Sequence, residues 1–198
     1  MSCLGKISAD ISRPTIRATK GLEQNAVIIN YEDLPKTGIS EDVTDPNELL
    51  TGLALNSGTS GYNMEFPCAK AVLKFTVEAV ENENTEDGYR HILPDLVWPD
   101  ISKAGLAQLN KMDGGRFYVV AEGKWKGDSN ADAFWFFGRH IGLIMKVTSW
   151  NSEENSGLPL VTFETPATFD EPYVPCKLLD AGDYATTKTA FDNKFAAA

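Results

Sequence analysis

The apolar positions fall into short runs and alternating stretches separated by polar, glycine-bearing punctuation. Ala26-Val27-Ile28-Ile29 is a compact apolar run within residues 25–31, bounded by polar residues and Pro35, and it predicts a buried strand. Over 71–80 the alternation is regular, with Leu73, Phe75, Val77 and Ala79 on one face and Lys74, Thr76 and Glu78 on the other. That pattern predicts a strand with one dry face and one wet face. The acidic stretch 81–88 then predicts a turn, and 89–93 a partner strand that ends before Pro94.

The period changes after Pro99. Ile101, Gly105, Leu109 and Met112 recur at helical spacing, Asp100 stands where it can cap the first turn, and Gly114-Gly115 provides a stop. A helix of about three turns does not hold by its own propensity, so it must pack on a sheet. Strands are predicted again over 116–122, 133–138, 143–150 and 158–165, with Gly, Asp, Asn and Ser between them. Several short strands in succession favour a mainly β fold, a sandwich or barrel, with one short helix packed on the sheet.

Two segments stand outside this pattern. Residues 32–67 are rich in Gly, Ser, Thr, Asn and acids around the apolar patch 49–55, and read as a long loop or extended hairpin insertion that is functional, mobile or ordered by a neighbour. Residues 180–198 form a polar tail that either docks as a short helix or frays. The length of 198 residues suits a single domain over 1–198. No repeat of solenoid or propeller period is present.

Charge narrows the functional classes. There are 18 Lys plus Arg against 28 Asp plus Glu, a formal net charge of -10, so the field of the molecule repels phosphate and disfavours specific nucleic-acid binding. Arg13, Arg17 and Lys20 are too dispersed to reverse that balance and read as a solvated strand edge. Cys3, Cys68 and Cys176 are widely spaced and form no Cys-x-x-Cys pair, which argues for a reducing compartment and against a zinc knuckle or disulfide framework. The first residues lack the apolar core of a signal peptide and no run approaches the ~20 apolar residues of a membrane span, so folding in a cytosol without membrane contact is expected.

Candidate chemistry is sparse. The two histidines, His91 and His140, each fall on a predicted strand or strand end and in no nucleophile–base motif; a structural or solvent-facing role is expected, the alternative being that both meet a carboxylate and bind metal. The glycines of Asp113-Gly114-Gly115 and Ser57-Gly58-Thr59-Ser60-Gly61 do not lead from a strand into a helix and carry no Gly-Lys-Ser/Thr, so turn chemistry explains them. The acidic pairs Glu41-Asp42, Glu153-Glu154 and Asp170-Glu171 are too common in an acidic chain to mark an acid and base. No catalytic, cofactor-binding or metal-ligating residue is assigned, and the chain is expected not to be an enzyme. Phe134-Trp135-Phe136-Phe137 asks for cover on both faces of one strand: one face is core, the other lies under the helix or against another subunit.

The order helix, Gly-Gly, strand, strand, Phe137-Gly138-Arg139-His140-Ile141-Gly142-Leu143, a strand to Trp150 and then Leu160-Val161-Thr162-Phe163-Glu164-Thr165 resembles the closing half of tail-tube proteins of tailed bacteriophages, in particular those of Bacteroidetes hosts. The resemblance covers roughly 89–170, with Ala26 to Tyr31 a weaker agreement; the segment 32–67 and the tail after Asp170 depart from it. It implies a tail-tube-like fold and a virion structural protein, assembled in the host cytoplasm and resident in the tail. By the same resemblance, subunits close into a homo-oligomeric ring, commonly hexameric, by joining their sheets into an inner barrel. Rings then stack through a long loop into a channel for DNA delivery. Its partners would be other copies, the tape measure, the terminator and possible sheath, with DNA passing unread through the lumen. A tail terminator or connector ring with the same fold is the nearest alternative. A β-sandwich carbohydrate-binding module using Trp98, Trp125, Trp135 and Trp150 as a stacking platform is the other.

Overall fold

A computed structural model describes residues 20–65, 73–81, 87–127 and 129–197. Cys3, Cys68, Arg13, Arg17 and the first two positions of the strand predicted over 71–80 lie outside the described residues; of the rest of that prediction only 76–80 is strand, and Ala79, expected on its dry face, is exposed. The fold is mainly β. The strands are β1 (Leu22–Asn30), β2 (Ile39–Glu41), β3 (Leu49–Leu53), β4 (Tyr62–Glu65), β5 (Thr76–Val80), β6 (Gly88–Val97), β7 (Arg116–Gly123), β8 (Phe134–Phe137), β9 (Leu143–Ser149), β10 (Leu160–Glu164) and β11 (Cys176–Leu178). Two helices join them, α1 (Lys103–Met112) and α2 (Tyr184–Asp192).

The middle layer is β4-β1-β7-β8, and its sequence shows why it is central. β1 places Ala26 and Ile28 in one apolar cluster and Val27 and Ile29 in another. β7 divides in the same way, with Phe117, Val119 and Ala121 on one side and Tyr118 and Val120 on the other. A strand buried on both faces reads as a continuous apolar run rather than an alternating one. The first cluster is closed by Leu93 and Leu96 of β6, Met145 of β9, Val161 and Phe163 of β10 and Leu109 of α1. The second is closed by Leu50 of β3, Leu178 of β11 and Phe191 of α2.

The sheet forks at β7. β1 pairs along one edge of β7, Ile28 opposite Val119 and Asn30 opposite Phe117. The other edge is shared: Phe137 of β8 faces Val119, and Leu143 of β9 faces Phe117. One residue separates those positions on β7, whereas residues 138–142 intervene on the facing strand. β8 and β9 are therefore one strand interrupted by a five-residue excursion. From this corner one branch runs β8-β11-β3-β2 and the other β9-β10-β6-β5, which gives a sandwich-like architecture from a single continuous sheet.

Several sequence expectations are met, and several need correction. The strands predicted over 25–31, 116–122, 133–138, 143–150 and 158–165 correspond to β1, β7, β8, β9 and β10. The helix is α1, but it starts at Lys103: Ser102 caps it by accepting from the Gly105 N–H at 3.2 Å, while Asp100 holds the cap by accepting from the Ser102 N–H and Oγ–H at 2.7 and 2.8 Å. Ile101 thus precedes the helix and is 46 % exposed instead of facing the core. The strand predicted to stop before Pro94 continues to Val97, because Pro94 and Asp95 (φ 55°) form a bulge that shifts the β6–β10 register between Leu93 and Leu96.

The segment read as a long loop or extended hairpin insertion carries β2, β3 and β4, of which β2 and β3 pair antiparallel. Its apolar patch becomes β3, which pairs with β2 on one side and runs parallel to β11 on the other, Leu50 opposite Leu178. A partner from 128 residues downstream, Leu178 for Leu50, supplies what local periodicity did not show. The polar tail docks: α2 is capped by Asp183 accepting from the Thr186 N–H at 2.9 Å, and lays Phe191 on Phe134 with ring centroids 5.2 Å apart.

Candidate functional site

The excursion at 138–142 gathers a dense set of hydrogen bonds. Gly138 and Gly142 sit at φ 79° and 78°, and the Gly142 N–H donates to the Gly138 carbonyl at 2.7 Å to close the loop. A Cβ on Gly142 would lie 2.7 Å from Arg116 Cγ and Tyr31 Cδ2, so both backbone angle and space call for glycine there. The loop turns its amides inward. His140 N–H donates to Glu171 Oε2 at 3.0 Å and Ile141 N–H to Glu171 Oε1 at 2.9 Å, and the Gly142 N–H also bears on that carboxylate.

Converging backbone N–H groups at a turn form an anion-binding concavity. Here the chain fills it with its own carboxylate. Glu171 is fully buried, and burial holds its carboxyl above the usual range while the amides and Arg139 pull the other way. Its backbone also bridges to Tyr89 at the start of β6, with N–H to O distances of 2.7 and 2.9 Å. The neighbouring Arg139 is buried, donates to the Pro46 carbonyl at 2.6 Å and forms an ion pair with Glu41. One loop thus ties both branches of the sheet to the 39–48 segment.

Both histidines come to this corner, as one sequence alternative required. His91 is buried, with Nε2 2.9 Å from the Tyr173 carbonyl and Nδ1 3.4 Å from the Gly138 N–H. A carbonyl only accepts, so Nε2 carries the proton and Nδ1 receives one. Burial lowers the His91 pKa to about 4, keeping the ring neutral. His140 is half-buried and shifted down by burial and by the Arg139 and Lys36 charges; its Nε2 has no hydrogen-bond partner among the described residues. His91 Nδ1 and the Glu171 carboxylate both accept from backbone N–H groups, and no cluster of three or more metal-ligating side chains occurs among the described residues.

A second polar feature was not legible in the sequence. Lys177 of β11 places Nζ 3.3 Å from the Trp135 ring centroid and 5.7 Å from that of Trp125, and donates to the Asp132 carbonyl at 2.7 Å. Burial draws its pKa down to about 8. Trp135 is thereby covered by Lys177 on one side and approached by Phe75 at 5.2 Å. Trp98 lies in the core, and Trp150, 53 % exposed, anchors the β9–β10 turn by donating from Nε1 to the Gly157 carbonyl at 2.9 Å. The four tryptophans do not form an open stacking platform. The aromatic run is covered on both faces by its own chain: Phe134 and Phe136 by α2 and Tyr118, Trp135 and Phe137 by Phe75.

Cys176 is a free, buried thiol whose pKa burial pushes up to about 12, so it stays an inert thiol at neutral pH. No described helix is long and apolar enough to cross a membrane. The sheet's outer strands β2, β4 and β5 each pair on one side only among the described residues. No family model matches the chain, and no curated protein or solved structure matches it.

Proposed function

We propose that the chain is a self-assembling virion structural subunit of the tail-tube type, built to form homo-oligomeric rings that stack around a DNA channel. The observation that carries the reading is the forked sheet with outer strands left open. β5 presents Thr76, Glu78 and Ala79 to solvent and pairs only with β6, while β4 pairs only with β1 among the described residues. Open edges invite strand pairing, and a closed ring of identical subunits satisfies them without runaway association. The corner locked by Glu171 supports the same reading, because strand-to-strand closure needs the two branches held at a fixed angle.

The net charge of -10 suits a conduit, since acids lining a lumen repel passing phosphates. The resemblance of the Gly138 to Leu143 step to the closing half of tail-tube proteins supports the choice of particle. A terminator or connector ring uses open edges in the same way, and the length of the assembly separates them. Negative-stain microscopy of the purified chain at high concentration is the test. Rings that stack into tubes are expected; single rings favour a terminator or connector, and a chain that stays monomeric at every concentration overturns the reading.

A further inference from the structure

Three described lysines are half-buried: Lys126, Lys177 and Lys188. Two of them share one buried carboxylate, since Lys126 and Lys188 both pair with Glu122, and the hydrogen bond to Glu122 holds the Lys126 pKa above its usual value. Lys177 forms no ion pair among the described residues.

The register of the sheet puts this amine between aromatic rings. Lys177 of β11 stands directly opposite Trp135 of β8, and side chains opposite one another across an antiparallel pair touch. Nζ lies 3.3 Å from the Trp135 ring centroid and 5.7 Å from that of Trp125, and it donates to the Asp132 carbonyl at 2.7 Å. Aromatic faces attract a cation but replace only part of the water that an ammonium loses. Burial therefore favours the neutral amine, against the pull of the Asp132 charge, and lowers the pKa to about 8. A neutral amine has a free lone pair and is a nucleophile near neutral pH.

The same wall holds an unmade hydrogen bond. The indole Nε1 of Trp125 is shielded from water and has no acceptor among the described residues. We propose that Lys177 Nζ is a modification site, acylated by a small acyl phosphate. The Nζ lone pair forms the N–C bond to the acyl carbon, the C–O bond to phosphate breaks and its electron pair leaves on the phosphate, and the amine proton passes to water. No oxidant or reductant is involved. The product suits the site in three ways. It removes a charge that burial disfavours, it keeps one N–H for the Asp132 carbonyl, and its acyl oxygen brings an acceptor to the side of the Trp125 ring.

The test is incubation of the full chain with acetyl phosphate across a pH series, with acetylation at each lysine followed by peptide mass spectrometry. Comparing lysines within one chain cancels the repulsion of an anionic reagent by the net charge of -10. At a pH of about 7.5, Lys177 is expected to react roughly tenfold faster than Lys126, and the difference should vanish in denaturing urea. The Lys177 rate should level off above a midpoint near pH 8. Trp125→Ala, which removes one wall and lets water in, should move that midpoint upward toward the ordinary lysine range. A Lys177 rate no higher than that of Lys126, an advantage that survives urea, or a midpoint unmoved by Trp125→Ala overturns the proposal. None of these outcomes depends on whether copies of the chain form rings.

Discussion

Glu171 is the residue on which the corner depends. Its carboxylate accepts from at least two backbone amides in a fully buried setting, so a substitution leaves those donors without their charged acceptor. Glu171→Gln places an amide NH₂ where one oxygen accepted, and a loss of about 2–4 kcal/mol is expected. Urea unfolding followed by circular dichroism measures it; a loss under about 0.5 kcal/mol would show that the loop holds without the carboxylate. His91 sets the response to acid. Its folded pKa of about 4 lies below the usual 6.5, so the folded state binds fewer protons than the unfolded chain across that interval. The stability it contributes is present above pH 6.5 and lost as pH falls through 4, on the order of 3 kcal/mol at most. Glu171 works in the opposite sense, since its raised pKa contributes stability below its ordinary value that is lost as pH rises through the folded one. Unfolding midpoints should therefore fall from pH 6.5 towards pH 4.5 in the parent chain, and His91→Gln should flatten that slope. A slope unchanged by His91→Gln would assign the acid sensitivity elsewhere, His140 being the next group of the same sign.

At the scale of elements, α2 is nine residues long and far too short to be helical by itself. It persists because Phe191 lies on Phe134, with Tyr184 stacked on the same ring at 5.8 Å and Phe195 edge-on to Phe191 at 6.3 Å. Phe191→Ala should cost about 3–5 kcal/mol and accelerate amide exchange over 184–197 more than in β7, whose strand is buried on both faces. Uniform acceleration by mass spectrometry would mean that α2 and the sheet open as one unit. This helix also shows what the sequence made legible. β1, β7, β8, β9, β10 and α1 were readable because each carries its own period or an unbroken apolar run. α2 was legible only as one of two outcomes for the tail, since Thr186, Thr187, Lys188 and Thr189 dilute its apolar stripe to little more than Tyr184 and Phe191. β11 and β3 were hidden for a different reason: Cys176 to Leu178 and Leu49 to Leu53 become strands by pairing with each other across the chain, a long-range fact absent from any local window. The same holds for the corner. The glycines of Gly138-Arg139-His140-Ile141-Gly142 were visible, but nothing marked Glu171, among many acids, as the one that fills their loop.

For the whole molecule, electrostatic repulsion and short-range cohesion act at different ranges, and salt separates them. Copies with a net charge of -10 repel one another over distances set by the Debye length, about 30 Å at 0.01 M and 8 Å at 0.15 M. Contacts between strand edges act only at touching distance and are little screened. If edge pairing drives association, raising salt from about 0.01 M to 0.15 M should lower the concentration at which rings and tubes appear, because repulsion is removed while the cohesive contacts stay. Light scattering across a salt series, with microscopy at each plateau, reads both effects. Assembly that weakens steadily from the lowest salt upward would mean that opposite charges hold the copies together, and that the open sheet edges do not.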